Sequence, residues 1–504
     1  MTDLHLPWLE GSILMALIGA LAVSRARDPH RGRSWCLIFS GLVLASTIGA
    51  WLDFEWLDFG QTQEIQADDA WHVLSSLVGR EVLVIDHLSA PLVAMLYFLT
   101  ALTTLGTKVR RFSFASTLIS EAIMLAIFSC KEPWLVIALL AAGTVPPWLE
   151  LRSRGQPTRV YSLYTLAYIA LMIAGWTEVE IEGDGRVHSL WAVVPLLGAI
   201  LVRGGIAPFH VWLTDLFERA TLGTAVLFAA PLTGAYATAR LVLPIAPDWV
   251  LRSMGVISLA TAVYAAGMSL VHRDARRFFA FLFLSHSALV FVGLEVVTPI
   301  GLTGALCVWF SVVLSLGGFG LTLRALEARR GRLLLTEHQG LYDHAPALAV
   351  CFLLTGLASV GFPGTVGFIG AELLVDGAVE TYPHVGVAVV IAAALNGIAV
   401  VQAYLKLFTG TRHVSTVSLR IGPHERFAVL TLSAFILLGG LLPQHSIASR
   451  YRAAIELLGH REGLSSEPEA PTQDDENQHE HEVPGEPEGV SPRTTDSRTE
   501  SSGG

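Results

Sequence analysis

The chain has 504 residues, of which 52% are hydrophobic and only 15% charged, with a formal net charge of −10. A soluble domain carries charge on about a quarter of its residues, so this composition describes a polytopic membrane protein. No Gly-rich phosphate loop ending in Lys-Ser/Thr and no Rossmann glycine pattern after a strand is present, which argues against ATP-driven transport and against direct NADH oxidation by this chain. Hydrolase-type motifs are absent as well.

Crossing ~30 Å of hydrocarbon takes roughly 20 helical residues. By that measure about 14 apolar stretches follow one another, near 7–24, 34–52, 86–107, 112–130, 133–149, 160–176, 189–209, 223–243, 249–271, 278–298, 301–323, 345–369, 384–408 and 427–445. They are continuous runs, unlike the alternating segments of about ten residues in an outer-membrane barrel, and helices are the remaining way to satisfy backbone groups in lipid. The expected fold is therefore all-α. The first stretch holds Glu10 and lacks a small-residue cleavage signature, so it reads as a retained span. Cys36, Cys130, Cys307 and Cys351 fall singly in apolar segments and read as inert buried thiols, with neither metal spacing nor a disulfide framework.

Between these spans the cations alternate by side. Arg25, Arg27, Arg31 and Arg33 follow the first span, Lys108, Arg110 and Arg111 the third, and Arg152, Arg154 and Arg159 the fifth. Arg273, Arg276 and Arg277 follow the ninth, and Arg324, Arg329, Arg330 and Arg332 the eleventh. The opposite loops are acidic or neutral, with Asp53, Glu55, Asp58, Glu64, Asp68 and Asp69 in one and Glu178, Glu180, Glu182 and Asp184 in another. The positive-inside rule then places both termini outside the cytoplasm of a cell inner membrane. From about Gly463 the chain turns to Glu, Pro, Ser, Thr and Asp. This gives a transmembrane domain over 1–450 and a hydrophilic acidic tail over 451–504 that is too polar to fold. His479, Glu480, His481 and Glu482 in that tail read as solvated acidic sequence, not as a metal site.

A proton path through lipid needs groups that exchange a proton near neutral pH and are shielded from lipid. Histidine does so unperturbed, and lysine or glutamate can be tuned to it, but arginine stays protonated. Glu121 lies in the fourth span, where a carboxylate needs a partner, with Glu132 at that span's outer end. In the run from Arg203 to Tyr236, Arg203 sits late in the seventh span beside Gly204 and Gly205, and Pro208 breaks the helix ahead of His210. Arg203 reads either as a working intramembrane charge or as a side chain snorkelling to the surface. His286 lies inside the tenth span between Ser285 and Ser287, either as a relay or as a hydrogen-bonding partner of another helix. The segment from Gly361 to Gly377 interrupts the twelfth span with Pro363 and glycines, then places Glu372 and Asp376 one helical turn apart. Such breaks set free carbonyls and dipole ends around ion sites; the alternative is a re-entrant segment whose acids face water.

In this order, the segments resemble the antiporter-like membrane subunits of respiratory complex I and their relatives in Mrp-type antiporters, membrane hydrogenases and bicarbonate-uptake systems, over most of 7–445. Asp86, Leu88, Ser89, Ala90 and Pro91 are similar to the family's Val-Asp-Gly-Leu-Ser-Ala-Pro lead-in to the third span. Pro208, His210, Trp212, Leu213 and Asp215 resemble its Pro-x-His-x-Trp-Leu-Pro-Asp corner. Thr233, Gly234, Ala235, Tyr236 and Arg240 resemble its Lys-Thr-Gly-Ala-Tyr stretch, and Asp274, Arg276, Arg277, Ala280, Ser285 and His286 its Asp-Leu-Lys-Arg to Ser-His pattern. Gly340, Leu341, Pro346 and the turn from Gly361 to Phe368 complete the series. The resemblance implies a 14-helix fold with two inverted five-helix repeats, broken seventh and twelfth helices, and a central line of Lys, Glu and His that moves protons.

Most of that line is replaced. The fifth-span glutamate falls at Ala141 or Ala142, the seventh-span lysine is Arg203, the eighth-span lysine falls at Leu232, and the eleventh-span His and Lys fall near Ser311 and Ser315. The last acid is shifted by one residue to Glu372. Two expectations follow. One is a membrane subunit of a proton- or cation-translocating complex with a reduced path through Glu121, Arg203, His210, His286, Glu372 and Asp376, in which Arg203 acts as a fixed charge. The other is a non-conducting scaffold that docks a soluble partner. Neither expectation includes a cofactor or a metal; the partners expected are lipid and either other membrane subunits or a soluble protein.

Overall fold

The computed structural model describes residues 2–58, 66–107, 112–183, 188–410 and 422–466. The helices begin with α1 (Trp8–Arg25) and α2 (Pro29–Asp58). Their outer end is tied to a three-stranded sheet in which β1 (Thr2–Asp3) runs parallel to β2 (Ala67–Asp68), and β2 runs antiparallel to β3 (Val84–Ile85). Registers are Thr2 to Ala67 and Ala67 to Ile85. Burial beside Glu81 pushes the Asp68 carboxyl above its ordinary range. A short α3 (Val73–Val78) sits in the same excursion.

Next come α4 (Ser89–Leu105), α5 (Phe114–Ser129), α6 (Pro133–Gly143) with α7 (Val145–Ser153), and α8 (Arg159–Glu182). The seventh span is divided into α9 (Leu190–Gly204) and α10 (Val211–Arg219), and the eighth into α11 (Leu222–Ala229) and α12 (Thr233–Ala237), continued by a π-helical turn over Thr238–Val242. Then follow α13 (Asp248–Val271), α14 (Ala275–Glu295), and α15 (Pro299–Ser311), which passes through a π-turn, Val312–Leu316, into α16 (Gly317–Arg330). The last members are α17 (Pro346–Val360) and α18 (Val366–Thr381), α19 (Pro383–Phe408), α20 (Pro423–Leu441) and α21 (Gln444–Ser466).

Among the described residues, ten helices or helix runs are long and apolar enough to cross a membrane, and α4, α5, α9 and α17 are shorter apolar helices. Each falls in one of the segments expected from hydropathy. Burial sorts them into layers: α14 and the runs 222–242 and 299–330 are enclosed along their length, whereas α2, α8 and α20 turn most of their surface outward. A helix buried on every side must be apolar all round, which is how α14 reads, with Phe278, Phe279, Phe281, Phe283 and Phe291 in one element.

The breaks fall where proline and glycine predict them. α9 is stopped by Gly205 at φ 68° and α17 by Gly361 at φ 88°, both left-handed C-caps that favour glycine. Pro208 and Pro363 then prevent simple continuation. The breaks stand five spans apart, as the expected repeats require.

The cationic loops gather at one end of the bundle. There Arg33 donates to the Leu105 carbonyl at 2.6 Å, Arg276 pairs with Glu327 at 2.8 Å, Arg277 with Glu218 at 2.7 Å, and Arg329 with Glu425. Arg332 bonds Asp274 and Glu218, which raises its pKa further above the ordinary guanidinium value. At the opposite end Arg240 pairs with Asp86, joining two of the family-like motifs, and α21 is pinned across the bundle. Arg450 donates to the His87 carbonyl at 2.7 Å, Arg452 pairs with Asp58, and Arg461 bonds the Leu243 carbonyl at 2.6 Å.

This changes the expected domain boundary at 450. Helix α21 runs past it, because Ala453, Ala454, Leu457 and Leu458 are buried apolar residues that pack onto the bundle. A separate unit comprises 465–504, and His479, Glu480, His481 and Glu482 lie outside the described residues.

Candidate functional site: an interrupted polar line

Helix α5 starts at Ser113, whose hydroxyl accepts from the Ser116 amide at 3.3 Å. Ser113, Ser116, Thr117 and Ser120 recur at helical spacing and line one wall of a narrow cleft. Glu150 and Thr224 line the other wall, and Glu121 closes the inner end. Glu121 is buried, with Ser40 of α2 donating to its two oxygens at 3.4 and 3.3 Å. Glu150 caps α11: it accepts from the Thr221 amide at 2.7 Å and from the Thr224 hydroxyl. Sequence reasoning passed over Glu150; an acid just past Pro146 and Pro147, near the end of an apolar span, was the available signal.

Arg203 does not snorkel. It is buried, its Nη2 donates to Thr233 Oγ1 at 2.6 Å, and its guanidinium lies 4.5 Å from the Phe228 ring centre and 5.7 Å from that of Trp212. Its Nε has no hydrogen-bond partner. Among the described residues no carboxylate pairs with it; ring faces and one hydroxyl hold the charge. Leu232 occupies the place of the eighth-span lysine, at φ 51°, as N-cap of α12. Trp309 of α15 donates to the neighbouring Pro231 carbonyl at 3.0 Å, and Phe128 packs against both Tyr236 and Trp309. The middle of the expected line is thus an apolar plug.

Beyond the plug the polar groups are sparse. His286 is buried with Nε2 unpartnered, and its neighbour Ser285 donates to the Ala262 carbonyl and accepts from Asn396 Nδ2 at 2.8 Å. Ser311 and Ser315, at the places of the lost His and Lys, stand 3.4 Å apart as a hydroxyl pair. His210 caps α10 between the rings of Tyr264 and Phe281, with Nδ1 unpartnered. Among the described residues no direct hydrogen bond joins Glu121, Arg203, His210 and His286 to one another.

Glu372 and Asp376 are not brought to this line. Both are exposed on the outward side of α18, while the other side packs closely on α15: a Cβ on Gly370 would lie 2.7 Å from the Val308 nitrogen, and one on Gly377 2.3 Å from that of Gly301. Sequence reasoning also missed Glu295, at the end of α14. It is buried, with neither carboxylate oxygen partnered among the described residues, and lies against Gly255, where a Cβ would stand 2.8 Å from its Oε2.

The architecture is a helical bundle with broken seventh and twelfth helices and a polar line interrupted at its enclosed middle. The family described as NADH:quinone oxidoreductase/Mrp antiporter, transmembrane, matches residues 162–396. NAD(P)H-quinone oxidoreductase chain 4 of Synechococcus elongatus is 26% identical, over 88% of this chain and 90% of its own. NADH-quinone oxidoreductase subunit 13 of Thermus thermophilus is 27% identical, over 70% and 81%. Among solved structures, a chain of respiratory complex I from Thermus thermophilus with bound NADH shares the fold with a TM-score of 0.77 at 20% identity, covering 89% of this chain and 99% of that one. A chain of the Mrp complex from Dietzia has a TM-score of 0.77 at 16% identity, covering 91% and 99%. The chain is thus similar over most of its length to membrane subunits of NADH:quinone oxidoreductases, and shares its fold with a chain of the Mrp complex.

Proposed function

We propose that the chain is a multi-pass membrane subunit of a proton- or cation-translocating complex in which the path is shortened to discrete proton-holding sites on either side of a dry centre. The observation that carries this reading is the pairing of two retained helix breaks with the Leu232–Trp309 plug beside Arg203. Broken helices leave backbone groups to be satisfied at membrane depth, a cost that a mere anchor has no reason to bear. Glu121, at the end of its hydroxyl-lined cleft, is the group that takes up a proton from one side. His286 is the titratable group of the enclosed tenth span. Other membrane subunits are its partners, as in the complexes of its structural relatives. The cationic end faces the cytoplasm of a bacterial inner membrane, with both termini on the other side.

The test is ion flux in proteoliposomes that hold the chain with the membrane subunits that co-purify with it. Driven acidification is expected to fall at least tenfold in His286→Ala and in Glu121→Gln, with normal assembly. Unchanged flux in both variants would overturn the transport reading in favour of a non-conducting scaffold. The specific observation on the side of that second reading is the plug itself.

A further inference from the structure

At the cationic end, the last turns of α13 and α19 and the loop at Leu335 and Thr336 border a partly open pocket of about 430 Å³. Its polar lining comes from Ser269, His272, Arg273, Thr336, Gln402 and Lys406, and among the described residues no carboxylate lines it. The contrast with the nearby arginines of α14, of α16 and of the loop after it is the informative part. Arg276, Arg277, Arg329 and Arg332 are each paired with a glutamate or aspartate. Among the described residues, neither Arg273 nor Lys406 has an ion-pair partner, although both border the same space. Helix C-termini attract cations, which accounts for one at each helix end. It does not account for two that share a roomy pocket without an anion.

The walls below the pocket decide what kind of anion fits. Val271 on α13 is 66% exposed, and on α19 Leu405, Val401 and Ile398 are 46%, 41% and 58% exposed. These apolar ridges run from the pocket along the outer faces of two helices that pack side by side, so a phosphate held between Arg273 and Lys406 would have acyl chains lying against them. We propose that this pocket binds the phosphodiester headgroup of an anionic phospholipid, with Arg273 and Lys406 as its counter-ions and Gln402 and Thr336 as further donors. Basic pockets between transmembrane helices recognise such headgroups through the same chemistry.

The test uses the full chain in nanodiscs or mild detergent, titrated with phosphatidylglycerol, with phosphatidylcholine of the same chains, and with inorganic phosphate, read by native mass spectrometry and thermal shift. Phosphatidylglycerol is expected to bind in preference to phosphatidylcholine, and Arg273→Gln/Lys406→Gln to weaken it about tenfold. Lys406→Glu should weaken it further, and Arg252→Gln, an exposed arginine at the opposite end, should leave it unchanged. Equal binding of the two lipids, or full binding by the double variant, would overturn the proposal. Saturation by inorganic phosphate at concentrations comparable to the lipid would overturn it too, in favour of a soluble anion.

Discussion

Arg203 shows how one substitution alters the character of a site. A lysine in its place could shed its proton when desolvated, whereas a guanidinium keeps it, so the residue becomes a permanent charge. The surroundings suit that role: aromatic faces on two sides and a single hydroxyl from Thr233. Thr233→Val should leave the buried guanidinium short of its one acceptor and lower stability by about 1–3 kcal/mol, measured as a drop in the thermal midpoint of the detergent-solubilised protein; an unchanged midpoint would show that the rings suffice. The loss of titratable groups at Ala141, Ala142, Leu232, Ser311 and Ser315 was legible in the sequence, because each lies in a span bracketed by recognisable motifs. The outward direction of Glu372 and Asp376 was not. It depends on the rotation of α18 about its axis after the break, and that is set by glycine-to-backbone contacts with α15.

At the level of elements, the two breaks were readable because glycine and proline act locally, through φ and a missing donor. Gly205 and Gly361 hold left-handed backbone, and a Cβ at either would also meet a neighbour at 3.2 Å, Leu213 Cδ2 in the first case and Ala371 Cβ in the second. Gly205→Ala and Gly361→Ala are expected to cost about 1–2 kcal/mol each from backbone strain alone. Amide exchange should speed up over 201–211 in the first variant and 357–366 in the second, with the far break unaffected; exchange that rises at both breaks together would mean that they open as one unit. The π-turns over Thr238–Val242 and Val312–Leu316 left no comparable mark in the sequence. No residue in them announces an extra backbone step. Glu295 escaped notice for a related reason: it is buried against another helix, beside Gly255.

For the whole molecule, the alternation of charged loops predicted which ends meet, and ion pairs such as Arg276 with Glu327 and Arg240 with Asp86 close each end separately. The sidedness proposed above rests on the same pattern and is open to direct measurement. A cysteine introduced as Thr2→Cys, next to buried native thiols, should react with a membrane-impermeant maleimide in intact spheroplasts, whereas one introduced as Arg277→Cys should react only after lysis; the reverse result would invert the orientation. Composition misled at the last boundary, since the polar residues from about Gly463 onward drew the short apolar run from Ala453 to Leu458 into the tail. The helix there is held by a few long-range contacts, of which buried Arg450 on the carbonyls of His87 and Leu88 is the firmest. The Arg203 centre has a further meaning at this scale, that of insulation. Two unit charges ~10 Å apart repel by about 1–2 kcal/mol at an effective dielectric of ~20, so a stray hydronium nearing the middle of the bilayer meets a standing electrostatic barrier on top of the apolar one. On the transport reading proposed above, this fixed charge keeps the membrane sealed while the complex is idle, and spares the cell a short circuit of its proton gradient.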